Sequence, residues 1–116
     1  MNKIYYLSSC STCKRIMNDL GITEEHFTLQ DIKTERITST QLDEMKEGVG
    51  SYEALFSRRA MKYKSLGLKD KRLTENDYKN LILEEYTFLK RPVIVIDGTY
   101  FVGNSKKVVE AAGALL

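Results

Sequence analysis

The sequence predicts an α/β domain in which strands near both ends of the chain build a sheet and the middle contributes helices. Three observations carry that reading. An apolar-aromatic run, an amphipathic stretch and an alternating run follow one another in residues 3–32. Two more strand-like runs, split by Asp97-Gly98, occupy the last third. Between them, from about Thr38 to Leu89, strand signals fade and helix starts appear. At 116 residues the chain fits one domain, long enough to bury a core without staples.

Each element has its own local reason. "KIYYL", Lys3 to Leu7, has the aromatic and branched character of a strand. Lys14 to Leu20 places Ile16, Met17 and Leu20 on one helical face, with Gly21 as a stop. "HFTLQDI", residues 26–32, alternates around Phe27 and Leu29 and reads as a second strand. Strand, helix, strand implies parallel pairing through a right-handed crossover. In the middle, Ser39 or Thr40 can cap a helix carrying Leu42 and Met45 that ends near Gly48 and Gly50. Ser51 can cap a short one bearing Leu55 and Phe56. Thr74 with Asp77 three residues on resembles a capping box ahead of Tyr78, Leu81, Ile82 and Leu83. Near the end, "PVIVI" and "TYFV" flank Asp97-Gly98, a strong signal for a two-residue hairpin turn. Asn104 or Ser105 can cap a last helix carrying Val108, Val109, Ala111, Ala112 and Leu115. Pro92 sits at a strand start, where its missing N–H is tolerated, and it forces Arg91 out of helical geometry.

Composition excludes several classes of function. Hydrophobic residues make up 42% and charged residues 29%, ordinary for a globular protein. A formal charge of +2 leaves no electrostatic footprint for nucleic acid or a membrane surface. No apolar run approaches the roughly 18 to 20 residues that span a bilayer. "MNKIYYLSS" is too short and polar for a signal peptide, so the expected location is cytoplasmic. In that reducing compartment the only two cysteines, Cys10 and Cys13, point to metal, catalytic or regulatory chemistry rather than a permanent staple.

The pair stands in "SSCSTCKR" on a Cys-x-x-C spacing. A structural zinc normally takes four cysteine or histidine ligands, and this chain adds only His26, in a strand-like run, so no metal is expected. The redox reading has a mechanism. Cys10 would lie between a strand and a helix, where the N–H groups of Ser11, Thr12 and Cys13 and the helix dipole favour a thiolate. The same amides can hold a small oxyanion. Cys13, one turn on, can close a disulfide as the resolving thiol. Disulfide exchange and oxyanion chemistry both stay open on these residues. Arginines favour the oxyanion; Arg58, Arg59 and Arg91 are the candidates, with Arg91 best placed by its neighbour Pro92.

Three stretches, "YYLSSCSTCKR", "LFSRRAMKYKSLGL" and "LKRPVIVIDGTYFVGNS", together resemble the arsenate reductase (ArsC) family of the glutaredoxin-coupled kind, with its Spx and YffB-like relatives. The resemblance spans nearly the whole chain in the same order. It implies a thioredoxin-like (glutaredoxin-like) mixed sheet with an inserted helical lobe: residues 1–35 and 90–116 as core, 36–89 as insertion. It also implies that Cys10 is the nucleophile, that Arg91 contacts the substrate anion and that Pro92 is cis and faces the cysteine. Arg59 matches an arginine of the Spx and YffB branch, and with Ser11, Thr12 and Pro92 completes the expected substrate-binding set. The expected activity is a thiol-dependent reduction of arsenate, with Cys13 or glutathione as resolving thiol. No cofactor is bound; glutathione, glutaredoxin or thioredoxin supplies electrons. The alternative is an Spx-like redox-sensing regulator that docks on RNA polymerase. The chain departs from the reductases at three places: Ser57 follows "LF" where they carry an arginine, Gly103 falls near their third anion-binding arginine, and Tyr6 replaces a histidine. One lost charge-assisted contact weakens binding by roughly 10 to 150-fold.

Overall fold

The computed structural model describes residues 2–116, which form two compact units. One comprises residues up to Arg36 together with Arg91–Leu116; the other is Ile37–Lys90.

The first unit is a four-stranded mixed sheet. Its strands are β1 (Asn2–Tyr6), β2 (Phe27–Asp31), β3 (Val93–Ile96) and β4 (Thr99–Val102), in the order β2-β1-β3-β4. β1 pairs parallel with β2, so that Tyr6 stands opposite Asp31. It pairs antiparallel with β3, where Tyr5 opposes Val93. β3 and β4 form the hairpin expected at Asp97-Gly98, whose φ values of 48° and 79° are both positive, as a two-residue turn of this kind requires. The central strands β1 and β3 are the apolar ones, because they alone lie between other strands. Ile4, Ile94 and Ile96 pack in one cluster with Ile16 of helix α1 (Ser11–Leu20) and Ala112 of helix α5 (Lys106–Gly113). The two helices close directly on each other: a Cβ built on Gly113 would lie 3.0 Å from Leu20 Cδ2.

Boundaries differ from expectation where polar residues start an element. α1 begins at Ser11, three residues before Lys14, because Cys10 itself takes the extended N-cap geometry (φ −93°, ψ 108°). β2 begins at Phe27, and His26 lies in the exposed turn before it rather than in the strand. Ser105, not Asn104, caps α5, its Oγ accepting from the Val108 amide at 3.2 Å.

The second unit holds α2 (Ser39–Val49), α3 (Met61–Ser65) and α4 (Glu75–Glu84), joined by single 3-10 turns. Thr38, one residue ahead of the expected Ser39 or Thr40, caps α2 in a reciprocal box with Gln41. Ser51 Oγ accepts from the Ala54 amide at 3.1 Å, but the cap position of the short 3-10 turn Glu53–Leu55 is Tyr52, one residue after the expected Ser51. α3 gives no signal in the sequence: it is five residues long and buries none of them. An aromatic cluster organises this unit. Phe56 stacks on Phe88 with ring centroids 4.9 Å apart and meets Tyr78 at the same separation, pairs worth about 0.5–1.5 kcal/mol beyond the area they bury. Phe56 also bridges antiparallel to Leu89, with Ser57 N donating to Phe88 O at 2.6 Å and Lys90 N donating to Leu55 O at 2.8 Å.

The box at the start of α4 is the one expected from the sequence. Thr74 N donates to Asp77 Oδ2 at 2.8 Å, and Asp77 N donates to Thr74 Oγ1 at 3.2 Å. Replacing Thr74 by Ala is expected to cost about 1 kcal/mol, read as a lower urea midpoint. The Thr74 amide and hydroxyl hold Asp77 below the usual carboxylate range. Its contribution is therefore complete above that range and is lost as the pH falls through the depressed value. The stability gap between wild type and Asp77→Ala should narrow on acidification in the same urea titrations.

Candidate functional site

Cys10 occupies the junction of β1 and α1. Its amide donates to Leu7 O at 3.1 Å, closing a tight turn, and its carbonyl accepts the first helical bond from Lys14 N at 3.2 Å. The helix therefore begins at the cysteine. Its sulfur accepts from the Cys13 amide at 3.4 Å, the position an oxygen takes in an ordinary serine or aspartate cap.

The two sulfurs sit one helical turn apart in unlike surroundings. Cys10 is half-buried, whereas Cys13 is fully buried. Burial acts to raise the Cys10 thiol. It is outweighed by the Cys13 amide and thiol, the Arg91 charge and the Thr12 amide, so that the pKa falls below the usual thiol value. Cys13 goes the other way. Burial pushes it up to about 12, helped by its donation to Cys10 and by the Cys10 charge, against the lowering effects of the Leu7 amide and Arg91. Both cysteines are free thiols.

Arg91 and Pro92 reach this end of the sheet through strand register. Because Tyr5 opposes Val93, continuing the antiparallel pair brings Pro92 and Arg91 alongside the segment that leads from β1 to Cys10. The Arg91-Pro92 bond is cis, and the Pro92 carbonyl accepts from Gly103 N at 2.9 Å. Arg91 is half-buried, and its charge acts on both sulfurs.

The structure thus brings Cys10, Thr12, Cys13 and Arg91 into one electrostatic neighbourhood, with Ser11 in the first helical turn and Pro92 adjoining Arg91. Arg59 belongs to the helical unit, exposed, with its amide 3.4 Å from Ser57 Oγ. Arg58 is held in that same unit by Glu53 at 2.8 Å and the Tyr78 hydroxyl at 3.1 Å, an arrangement that accounts for it structurally. Among the described residues no three His, Cys, Asp or Glu side chains are grouped to hold a metal ion, and no helix is long and apolar enough to cross a membrane. The Leu7 amide acting on the Cys13 sulfur was not foreseeable, since no side-chain pattern marks a backbone donor aimed at a buried thiol.

The ArsC family model matches residues 5–112. An uncharacterized protein of Haemophilus influenzae is 24% identical over 115 residues, covering 98% of this chain and all of that one. Among solved structures, the YFFB protein aligns with a TM-score of 0.80 at 21% identity, covering 100% of this chain and 99% of that one. An arsenate reductase from Vibrio cholerae aligns with a TM-score of 0.74 at 20% identity, covering 99% and 97%. At such identities these likenesses speak to the fold, which is the thioredoxin-like α/β arrangement with a helical insertion.

The unlike sulfurs predict unlike reactivity. Iodoacetamide should label Cys10 with a half-maximal rate at a pH below that of a free thiol, about 8.5. Cys13 should stay unlabelled until the protein is unfolded. Mass spectrometry of digests taken across a pH series checks both; a free-thiol titration at Cys10 would contradict the geometry.

Proposed function

The chain belongs to the ArsC family, at that level a family of thiol-dependent oxidoreductases, and from that premise we propose that it reduces arsenate or a closely related small oxyanion. The carrying observation is the Cys10 sulfur capping α1, 3.4 Å from the Cys13 amide and under the Arg91 charge.

The chemistry follows from those groups. The Cys10 thiolate attacks arsenic(V), an As–S bond forms, and one arsenate hydroxyl leaves with a proton as water. The first-turn amides, those of Ser11 and Thr12 among them, and the Arg91 guanidinium bind the anionic oxygens. A second thiol then attacks the Cys10 sulfur. The new S–S bond forms as the As–S bond breaks, its electron pair passes to arsenic, and arsenite departs. Cys13 or glutathione supplies that thiol. The buried Cys13, with its raised pKa, loses its proton as it attacks, so glutathione and Cys13 compete on different pH terms. Glutaredoxin or thioredoxin then returns the sulfurs to the reduced state.

Arsenate-dependent NADPH oxidation, coupled through glutathione, glutaredoxin and glutathione reductase, tests the reading. Cys10→Ser should abolish turnover. Arg91→Ala should lower kcat/KM by roughly 10 to 150-fold, the loss of one charge-assisted contact. Cys13→Ser should keep a glutathione-dependent activity or trap a mixed disulfide visible by mass. Full activity in Cys10→Ser would refute the scheme. A reversible Cys10–Cys13 disulfide with no arsenate-dependent turnover would turn the reading toward a redox sensor.

A further inference from the structure

The turn that delivers Cys10 is held from the neighbouring strand. β1 and β2 run parallel with Tyr6 opposite Asp31, and Ile32 N donates to Tyr6 O at 2.9 Å, so pairing continues to the end of both strands. Beyond Tyr6 the chain turns through Ser8 and Ser9, and Cys10 N closes that turn on Leu7 O. The Asp31 side chain reaches the turn. Its Oδ2 accepts from Ser8 Oγ at 2.5 Å, and the carboxylate also takes the Ser8 amide. Its Oδ1 accepts from Lys33 N at 3.2 Å, which fixes the side chain from its own strand end. The Asp31 carbonyl accepts from Thr34 N and Glu35 N at 3.2 and 2.8 Å, so the backbone carrying that carboxylate is pinned as well.

We propose that Asp31 is a positioning residue for Cys10: its carboxylate clasps Ser8 and thereby sets the turn whose last residue is the helix-capping sulfur. The sulfur-to-amide bond at 3.4 Å exists only while Cys10 keeps its extended φ and ψ at the head of α1. Those dihedrals depend on where the preceding turn ends. The clasp acts at the first central residue of that turn and comes from a different strand, so it restrains the turn from outside its own segment.

The electrostatics keep the clasp separate from the thiol's own titration. Burial acts to raise Asp31, but the Ser8 hydroxyl, the Lys33 and Ser8 amides and the Lys33 charge hold it below the usual carboxylate range. It is thus ionised throughout the range in which Cys10 titrates. Burial chiefly, and then the Asp31 and Glu24 charges, raise the neighbouring Tyr6 phenol. The Arg91 charge acts on Cys10 and lowers its thiol.

The test is the pH midpoint of Cys10 alkylation by iodoacetamide, with a urea midpoint measured beside it. Asp31→Ala should move the alkylation midpoint upward by about half a unit or more, roughly a three-fold change in thiolate population. Ser8→Ala should move it the same way. Asp31→Asn, which keeps one acceptor oxygen, should fall between wild type and Asp31→Ala. The Ser8→Ala/Asp31→Ala double variant should shift no further than Asp31→Ala alone, because the two residues share one interaction. An unmoved alkylation midpoint in Asp31→Ala, whatever its urea midpoint, overturns the proposal, as does additivity in the double variant. If Asp31→Ala does not fold, unmoved midpoints in both Ser8→Ala and Asp31→Asn overturn it. The inference rests on Cys10 as the attacking thiol and not on arsenate. Absent arsenate turnover with a shifted midpoint removes the substrate and keeps the clasp; normal turnover with unmoved midpoints does the reverse.

Discussion

Peptide amides converging on one sulfur are the interaction on which the rest depends. A helix leaves its first N–H groups without partners, and those groups need an acceptor from the chain just ahead. In most helices a serine, threonine, aspartate or asparagine supplies an oxygen. Here Cys10 stands in that position and its sulfur accepts from Cys13 N. The arrangement helps the helix whether or not the thiol is ionised, but it favours the thiolate, since an amide donor and the positive end of the dipole gain most from a full negative charge. Everything adjacent is arranged around that junction. β1 ends where the turn begins, the Arg91-Pro92 segment runs alongside, and α1 carries its own apolar face into the sheet.

The second sulfur shows why one turn of helix changes chemistry so much. Cys13 lies on the buried face of α1 with Ile16, where solvent does not reach it. Burial penalises a thiolate there, and the donation of its own proton to Cys10 penalises it further. A Cys-x-x-C at a helix start therefore holds one sulfur near solvent and turns the other inward, as the helical period requires. The division of labour between attacking and resolving thiol follows from that placement.

Much of this was legible from residue order. The apolar β1 and β3 runs, the Asp97-Gly98 turn and the Thr74 box each have a local physical cause, and each lies within a residue of where it was read. What escaped has a common origin too. The apolar period of α1 is legible only from Lys14, because Ser11 and Thr12 are polar; their place in the first turn was legible instead from the amides expected around Cys10. Thr38 was passed over for Ser39 and Thr40 because several adjacent hydroxyl residues can cap, and only the reciprocal bond with Gln41 chooses among them. α3 buries nothing and so leaves no apolar period to read. At the site, the two cysteines and Arg91 stood out by type and spacing. Asp31 did not, because its partner Ser8 is distant in sequence and only parallel strand register brings them together.

The antiparallel bridge between Phe56 and Leu89 has an architectural consequence. It makes residues 57–88 an excursion whose two ends are tied at a single ladder, through Ser57 to Phe88 and Lys90 to Leu55. Closing a longer flexible loop adds only about 0.6 kcal/mol for each doubling of its length. Exposed turns within that excursion, such as residues 69–72, can thus change length at small entropic cost while the ladder and the aromatic cluster around Phe56 stay intact. The tie at Phe56 and Leu89 therefore confines tolerance for insertions to the solvent-facing turns between the helices.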